Sequence, residues 1–237
     1  MKGSVPQRLY KNRLLESLPP HDIKQLSPHL IPVDLPLNLT LHEPGQTIES
    51  VCFLEDGVCT IVATMESGVG VEVGMIGRDG FVGMPILLGA SHSPNRSFMQ
   101  IGGYGFRVKA QTLVELSDAS AALRKCLLRS VHALLVQTAQ TAACNRVHDL
   151  DERLARWLLM CRDRVHADEI LITQEFLAIM LGTRRSSVTV AAGSLQQAGL
   201  ISYRRGHVVI RDHAGLQDAA CECYRAVRDE SVRLGLL

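Results

Sequence analysis

The sequence predicts an α+β protein: a β-barrel of jelly-roll type near the N-terminus, one long helix, and a winged helix-turn-helix at the C-terminus. Three observations carry this prediction. Residues 31–116 alternate short β-branched runs with proline and glycine turns. Residues 117–148 repeat apolar positions at three- and four-residue steps. Residues 173–210 read as two short helices joined by a glycine and followed by a basic hairpin. The expected division is a barrel with a helical flank over 1–116, a long dimerisation helix over 117–148, and a DNA-binding unit over 149–237.

Composition bounds what the chain can do. It has 237 residues, 46% hydrophobic and 21% charged, enough for one large or two modest domains. The formal net charge is +1, so a partner reached through charge must meet a local patch. No apolar run is long enough to span a membrane and no signal-peptide core opens the chain, so the expected location is the cytoplasm. Seven cysteines are scattered without a CxxC pair. That spacing argues against a zinc ribbon or an iron–sulfur framework, so no metal ligand set is expected. Reduced, buried thiols are the expectation, with Cys221 and Cys223 the closest pair and a candidate redox switch.

The flank from Met1 to Leu30 reads as amphipathic helix, with Leu14, Leu15 and Leu18 before the break Pro19-Pro20 and Asp22 capping a short second helix. The barrel strands are expected at Val51–Leu54, Val58–Thr64, Val69–Met75, Phe98–Ile101, Phe106–Ala110 and Val114–Leu116. Between them, Gly80, Phe81, Val82 and Gly83 form a glycine-rich turn whose N–H groups can point at an anion, with Arg96 and Ser97 as candidate partners. These six residues are the candidate effector pocket. Ser117 and Asp118 are expected to cap the long helix. Its seam of Leu128, Val131, Leu135, Thr138, Ala142 and Asn145 suits packing on a second copy. Glu152 to Val165 is a further amphipathic helix, and Leu216 to Leu234 a closing one.

The most specific stretch runs from Thr173 to Ile201. Thr173 is a natural helix cap, Gly182 allows a tight turn, and Thr183 is expected to cap a second helix ending near Ala198. That helix opens with Arg184, Arg185, Ser186, Ser187 and Thr189 and buries Val188, Ala191, Ala192 and Leu195. No acid occurs from Phe176 to Arg211, yet five arginines do, two of them at the hairpin tip. This is the layout of a DNA-reading helix-turn-helix with a wing. Base reading is expected of Arg185, Ser186 and Thr189. Phosphate positioning is expected of Thr173, Arg184, Ser187, Arg204 and His207.

Taken together, the chain resembles the Crp/Fnr family of bacterial transcription regulators. The resemblance rests on Leu41, Pro44-Gly45, Val51, Phe53 and Gly57 in the barrel, on ERLARWLL from Glu152, and on the whole block from Thr173 to Ile201. It implies a cyclic-nucleotide-binding-type barrel, a dimer helix, effector-controlled binding of double-stranded DNA as a homodimer, and contact with RNA polymerase. Arg185 takes the family's leading Arg position, while Ser186 stands where a Glu is typical and Val190 where an Arg is typical. Where cyclic-AMP binders carry Gly-Glu, this chain has Gly80-Phe81, and Phe81 cannot accept ribose hydroxyl bonds. The sequence therefore argues against cyclic AMP, and it names no cofactor or effector.

Two rival readings have less support. A cyclic-nucleotide-type regulatory module acting on a partner protein would use its C-terminal helices as a docking unit, and a lack of DNA binding at low salt with candidate effectors present would favour it. A cupin-like enzyme needs His and Glu converging at metal-ligand spacing, which His42, Glu43, Glu72 and His92 do not show. No catalytic residue is expected.

Overall fold

The computed structural model describes residues 10–237; the first nine residues of the expected flank lie outside that range. Helix α1 (Arg13–Ser17) starts at Asn12, whose side chain accepts from the N–H groups of Leu14 and Leu15. The same buried amide donates to the carbonyls of Leu54 (3.0 Å) and Gly80 (2.8 Å), so one asparagine both starts the helix and fastens it to the β-domain. Helix α2 (Pro20–Leu26) begins on Pro20, whose missing N–H is no loss at that position. Asp22 lies inside its first turn and is not the cap.

Eight strands follow: β1 (Ile31–Leu35), β2 (Thr40–His42), β3 (Ser50–Leu54), β4 (Val58–Thr64), β5 (Gly70–Ile76), β6 (Phe81–Val82), β7 (Arg96–Ile101) and β8 (Gly103–Lys109). They form two antiparallel sheets, ordered β1-β8-β3-β6 and β2-β7-β4-β5. The expected jelly-roll barrel is thus a two-sheet sandwich. Its core joins Val51, Phe53, Phe81 and Val108 of one sheet with Cys59, Ile76 and Met99 of the other.

The strand expected at Val114–Leu116 is helical, inside α3 (Ala110–Ala119). Ala110, Leu113 and Ser117 turn inward together, a three- and four-residue step that a three-residue alternation cannot reveal. Ser117 and Asp118 therefore lie within α3. The cap of the long helix α4 (Ala121–Val147) is Ser120, which accepts from Leu123 N at 3.1 Å. Helix α5 (Leu150–Val165) opens on a capping box between Asp149 and Glu152.

The C-terminal unit continues with β9 (Glu169–Leu171), α6 (Gln174–Met180), α7 (Arg185–Gln197), β10 (Ile201–Arg204) and β11 (His207–Ile210). The three strands form one small sheet, ordered β10-β11-β9. The single closing helix expected from Leu216 is two helices, α8 (His213–Ala219) and α9 (Cys223–Arg233), because Ala220 adopts an extended backbone. That break turns Cys221 and Cys223 inward. The core of this unit takes in Trp157, Leu177, Val188, Leu195 and Tyr224. It is continuous with Val58, Val62, Met75 and Phe98 of the sandwich. No helix among the described residues is long and apolar enough to cross a membrane.

Candidate nucleic-acid interface and its joint to the sandwich

The helix-turn-helix forms as the residues dictate, with one correction. Thr173 caps α6, its hydroxyl accepting from Phe176 N at 3.2 Å. Gly182 takes φ +58°, and a Cβ there would stand 3.3 Å from Val71, so both backbone and space favour glycine. Thr183 does not cap α7; the N-cap is Arg184, with no side-chain cap bond. Thr183 instead donates its N–H to the carbonyl of Ala178 at 2.9 Å and closes the turn. Val188, Ala191, Ala192 and Leu195 form the buried side of α7, as expected.

The opposite side of α7 is exposed at Arg184, Arg185, Ser186 and Thr189, and Ser187 is half-buried. Arg204 and Arg205 are exposed at the wing tip. None of Arg184, Arg185, Arg204, Arg205 and Arg211 makes an ion pair among the described residues, so their charge is available to phosphate. Two candidates have local partners. The Thr189 hydroxyl donates to Gln174 Oε1 at 2.9 Å, with the Arg185 carbonyl as the alternative acceptor. His207 Nδ1 lies 2.9 Å from the carboxylate of Glu169, brought in by β9, which places an acid beside a presumptive phosphate contact. Gln174 and Gln196 were not legible as contributors. Gln196 accepts from Tyr203 N at 2.7 Å and so ties the last turn of α7 to the wing.

The N-terminal half of α7 faces a cleft against the sandwich. Arg184, Arg185 and Ser187 line one wall. Thr64, Gly68, Val69, Gly70 and Arg96 line the other. Three of the contacts between the two units stand at this joint. Phe176 meets Phe98 edge-on, with centroids 6.0 Å apart. Trp157 Nε1 donates to Glu72 Oε1 at 2.9 Å. Arg164 pairs with Asp79 at 2.7 Å and donates to Gln137 Oε1 at 2.9 Å, joining α5, the sandwich and α4. Burial pushes the Glu72 carboxyl up to about 7, although bonds from Thr60 and Trp157 oppose the shift.

The expected effector cradle is not assembled. Phe81 is fully buried in the sandwich core, with its ring 5.6 Å from that of Phe53. Gly80 sits under α4, where an added Cβ would stand 2.9 Å from Ser130 Oγ. Arg96 turns away: it donates to Thr40 Oγ1 at 2.6 Å, pairs with Glu43 at 3.4 Å and lies over the Phe98 ring. A separate cavity of about 190 Å³ does take in Val82, Gly83 and Ser97. Its other walls include His42, Ile61 and Val73, and Val131, Leu134, Leu135 and Thr138 of α4; among the described residues no Asp, Glu, Lys or Arg lines it. Burial holds the His42 imidazole below its usual value, and His42 Nε2 lies 3.0 Å from the Ser50 carbonyl.

The seam on α4 is shifted in phase. Leu128, Leu135, Ala142 and Asn145 are exposed, but Val131 is buried in the chain's own core and the Thr138 hydroxyl donates to the Val73 carbonyl at 3.0 Å. The fully exposed stripe is Ala121, Lys125, Leu128, His132, Leu135, Ala139, Ala142 and Arg146, which alternates four- and three-residue steps.

Fold and site together define a DNA-binding protein in which a winged helix-turn-helix is joined to a β-sandwich. Residues 152–219 match the Crp-like helix-turn-helix domain. The global nitrogen regulator of a Nostoc species is 22% identical, over 73% of this chain and 82% of that relative. A Crp/Fnr-family regulator from Eubacterium rectale superposes with TM-score 0.68 at 17% identity, over 87% of this chain and 96% of that one. The c-di-GMP responsive global regulator CLP of Xanthomonas campestris gives TM-score 0.66 at 18% identity, over 80% and 98%. Residues 152–219 thus carry a Crp-like helix-turn-helix domain, and the fold of the chain is that of the Crp/Fnr regulators on which it superposes.

Proposed function

We propose that this chain is an effector-responsive, sequence-specific regulator acting as a homodimer in the cytoplasm, and that the arrangement described above is its DNA-incompetent state. One observation carries this reading. Arg184, Arg185 and Ser187 line a cleft against the sandwich, and the same side chains cannot face both the sandwich and a base pair. Binding therefore requires the unit from α5 to α9 to swing away. An effector acts by binding the open arrangement more tightly than the closed one. The cavity behind α4 suits a small, uncharged and largely apolar molecule better than a cyclic nucleotide, because no cation faces it.

In the open state Arg185 reads a guanine edge, with Ser186 and Thr189 beside it. Thr173, Arg184, Ser187, Arg204 and His207 position the backbone. Val190 is 71% exposed on the same face and is suited to a thymine methyl. Contact with RNA polymerase completes the reading.

The test starts with DNA selected from a random pool. On the selected site, Arg185→Ala should lose about 1–3 kcal/mol and relax preference at one base pair. Arg204→Ala should weaken all sequences alike and lower the salt slope by about 1. Equal losses for Arg185→Ala on selected and random duplexes would refute its reading role. The exposed stripe on α4 supplies the dimer contact. Leu135→Asp should sediment as a monomer at micromolar concentration and bind a half-site no more weakly than a full site. An unchanged dimer would place the self-contact elsewhere.

A further inference from the structure

We propose that Cys144, His148, Cys221 and Cys223 form a four-coordinate zinc site that fastens the end of the long helix to the last helix of the chain. The sequence offers no such framework, because the two halves stand far apart along it. Folding joins them. Cys144 and His148 come from the last turn and the C-cap of α4; Cys221 comes from the break between α8 and α9, and Cys223 is the first residue of α9. One donor atom from each residue lies within 4.8 Å of the other three.

The spacing matches a single tetrahedral ion. Zinc–sulfur bonds of about 2.3 Å and zinc–nitrogen bonds of about 2.0–2.1 Å put neighbouring donors roughly 3.6–3.8 Å apart. Cys144 Sγ lies 3.5 Å from Cys221 Sγ, and Cys223 Sγ lies 3.5 Å from His148 Nδ1. A two-iron cluster sets ligands of different irons apart by the irons and sulfides between them, farther than the 4.8 Å within which all four donors lie here. All four donors belong to one chain, so the site closes within a protomer and leaves no open position for a substrate. That is the pattern of a structural zinc.

The surroundings already resemble an outer coordination shell. His148 Nε2 is 3.0 Å from the Glu222 carboxylate, which fixes the tautomer and leaves Nδ1 as the free donor. Gln140 Nε2 donates to Cys223 Sγ at 3.1 Å, a bond that favours a thiolate. Three thiolates and one neutral imidazole leave a zinc centre with excess negative charge, and the guanidinium groups of Arg153 and Arg156 act on Cys144 from α5. The three cysteines form a small buried cluster of their own, separate from both hydrophobic cores. The ion would thus stand where a hydrophobic contact between α4 and α9 would otherwise be required.

The test uses the full chain, kept reduced, stripped with a chelator and titrated with zinc against a chromogenic competitor. One zinc per chain is expected. Cobalt(II) should give thiolate-to-metal charge transfer and the visible bands of a tetrahedral centre. His148→Ala and Cys223→Ser should each abolish stoichiometric binding, His148→Cys should retain it, and Glu222→Gln should weaken it by about 10–100-fold. His148→Ala leaves every buried thiol in place, so the test survives if Cys223→Ser fails to fold. Three results would overturn the proposal: no zinc bound while all thiols titrate as free, equal binding by wild type and His148→Ala, or acid-labile sulfide in the purified protein. No DNA is involved in these measurements, so the outcome is independent of the regulatory reading.

Discussion

Replacing Arg164 by alanine is expected to destabilise the protein by about 3–5 kcal/mol, the usual loss when one member of a buried ion pair is removed. The side chains of Arg164 and Asp79 are 5% and 12% exposed, and their contact is 2.7 Å. The guanidinium also donates to the carbonyl of Met160 at 2.9 Å and to Gln137 at 2.9 Å. Its stem fills the space above Gly77, where any Cβ would come within 2.7 Å of Arg164 Cβ. Truncation therefore leaves a carboxylate without its counter-charge, an amide without its donor and a gap beneath α5. Asp79→Ala should cost a similar amount for the mirror-image reason. The double variant Asp79→Ala/Arg164→Ala should lose clearly less than the sum of the two single losses, since neither charge is then left buried alone. Urea unfolding of the four proteins measures this, and high salt should change the coupling little because the pair is shielded from solvent. A coupling below about 0.5 kcal/mol, the additivity limit for independent sites, would show that the pair does not hold α5 to the sandwich.

How much was legible from the residues depended on how local each signal was. The helix-turn-helix was readable because Thr173, Gly182 and the inward row from Val188 to Leu195 lie within one short segment, and each acts through its neighbours. The α4 seam was half readable. A helix that packs on its own sandwich and shows another face to solvent carries two apolar stripes about one residue apart, so periodicity alone could not say that Val131 faces inward and His132 outward. The effector cradle was misplaced for a different reason. A matched position transfers a role only if the side chain points the same way, and Phe81 points into the sandwich core while Arg96 is held by Thr40 and Glu43. Cys221 and Cys223 stood out as a close pair, but their meeting with Cys144 and His148 was invisible because only tertiary folding brings the halves together. Glu72 gave no signal either, being a single acid in a strand whose importance comes from what α5 lays across it.

Glu72 makes stability depend on pH around neutrality, and Glu72→Gln should abolish that dependence. A glutamate in the unfolded chain ionises near 4.5, whereas burial pushes Glu72 up to about 7 in the fold. Between those values the native protein keeps a proton that the unfolded chain releases, so stability falls as pH rises from about 4.5 to 7 and stays at the lower level above. At 1.36 kcal/mol for each tenfold change in proton affinity, the loss is about 3 kcal/mol. Glutamine never ionises, and it can still accept from Trp157 Nε1 and donate to Thr60 Oγ1, the two partners Glu72 has now. The variant should therefore match wild type near pH 4.5 and exceed it by up to about 3 kcal/mol at pH 8. The chain has one tryptophan, and it is the residue bonded to Glu72, so native-state emission should titrate near pH 7 in wild type and stay flat in Glu72→Gln. Parallel stability curves for the two proteins would mean that the carboxyl is not desolvated at this joint. Because the charged carboxyl is disfavoured only while α5 covers it, deprotonation should also favour the open arrangement proposed for DNA binding. Glu72→Gln would then bind the selected DNA site more weakly than wild type at pH 8 and equally at pH 5.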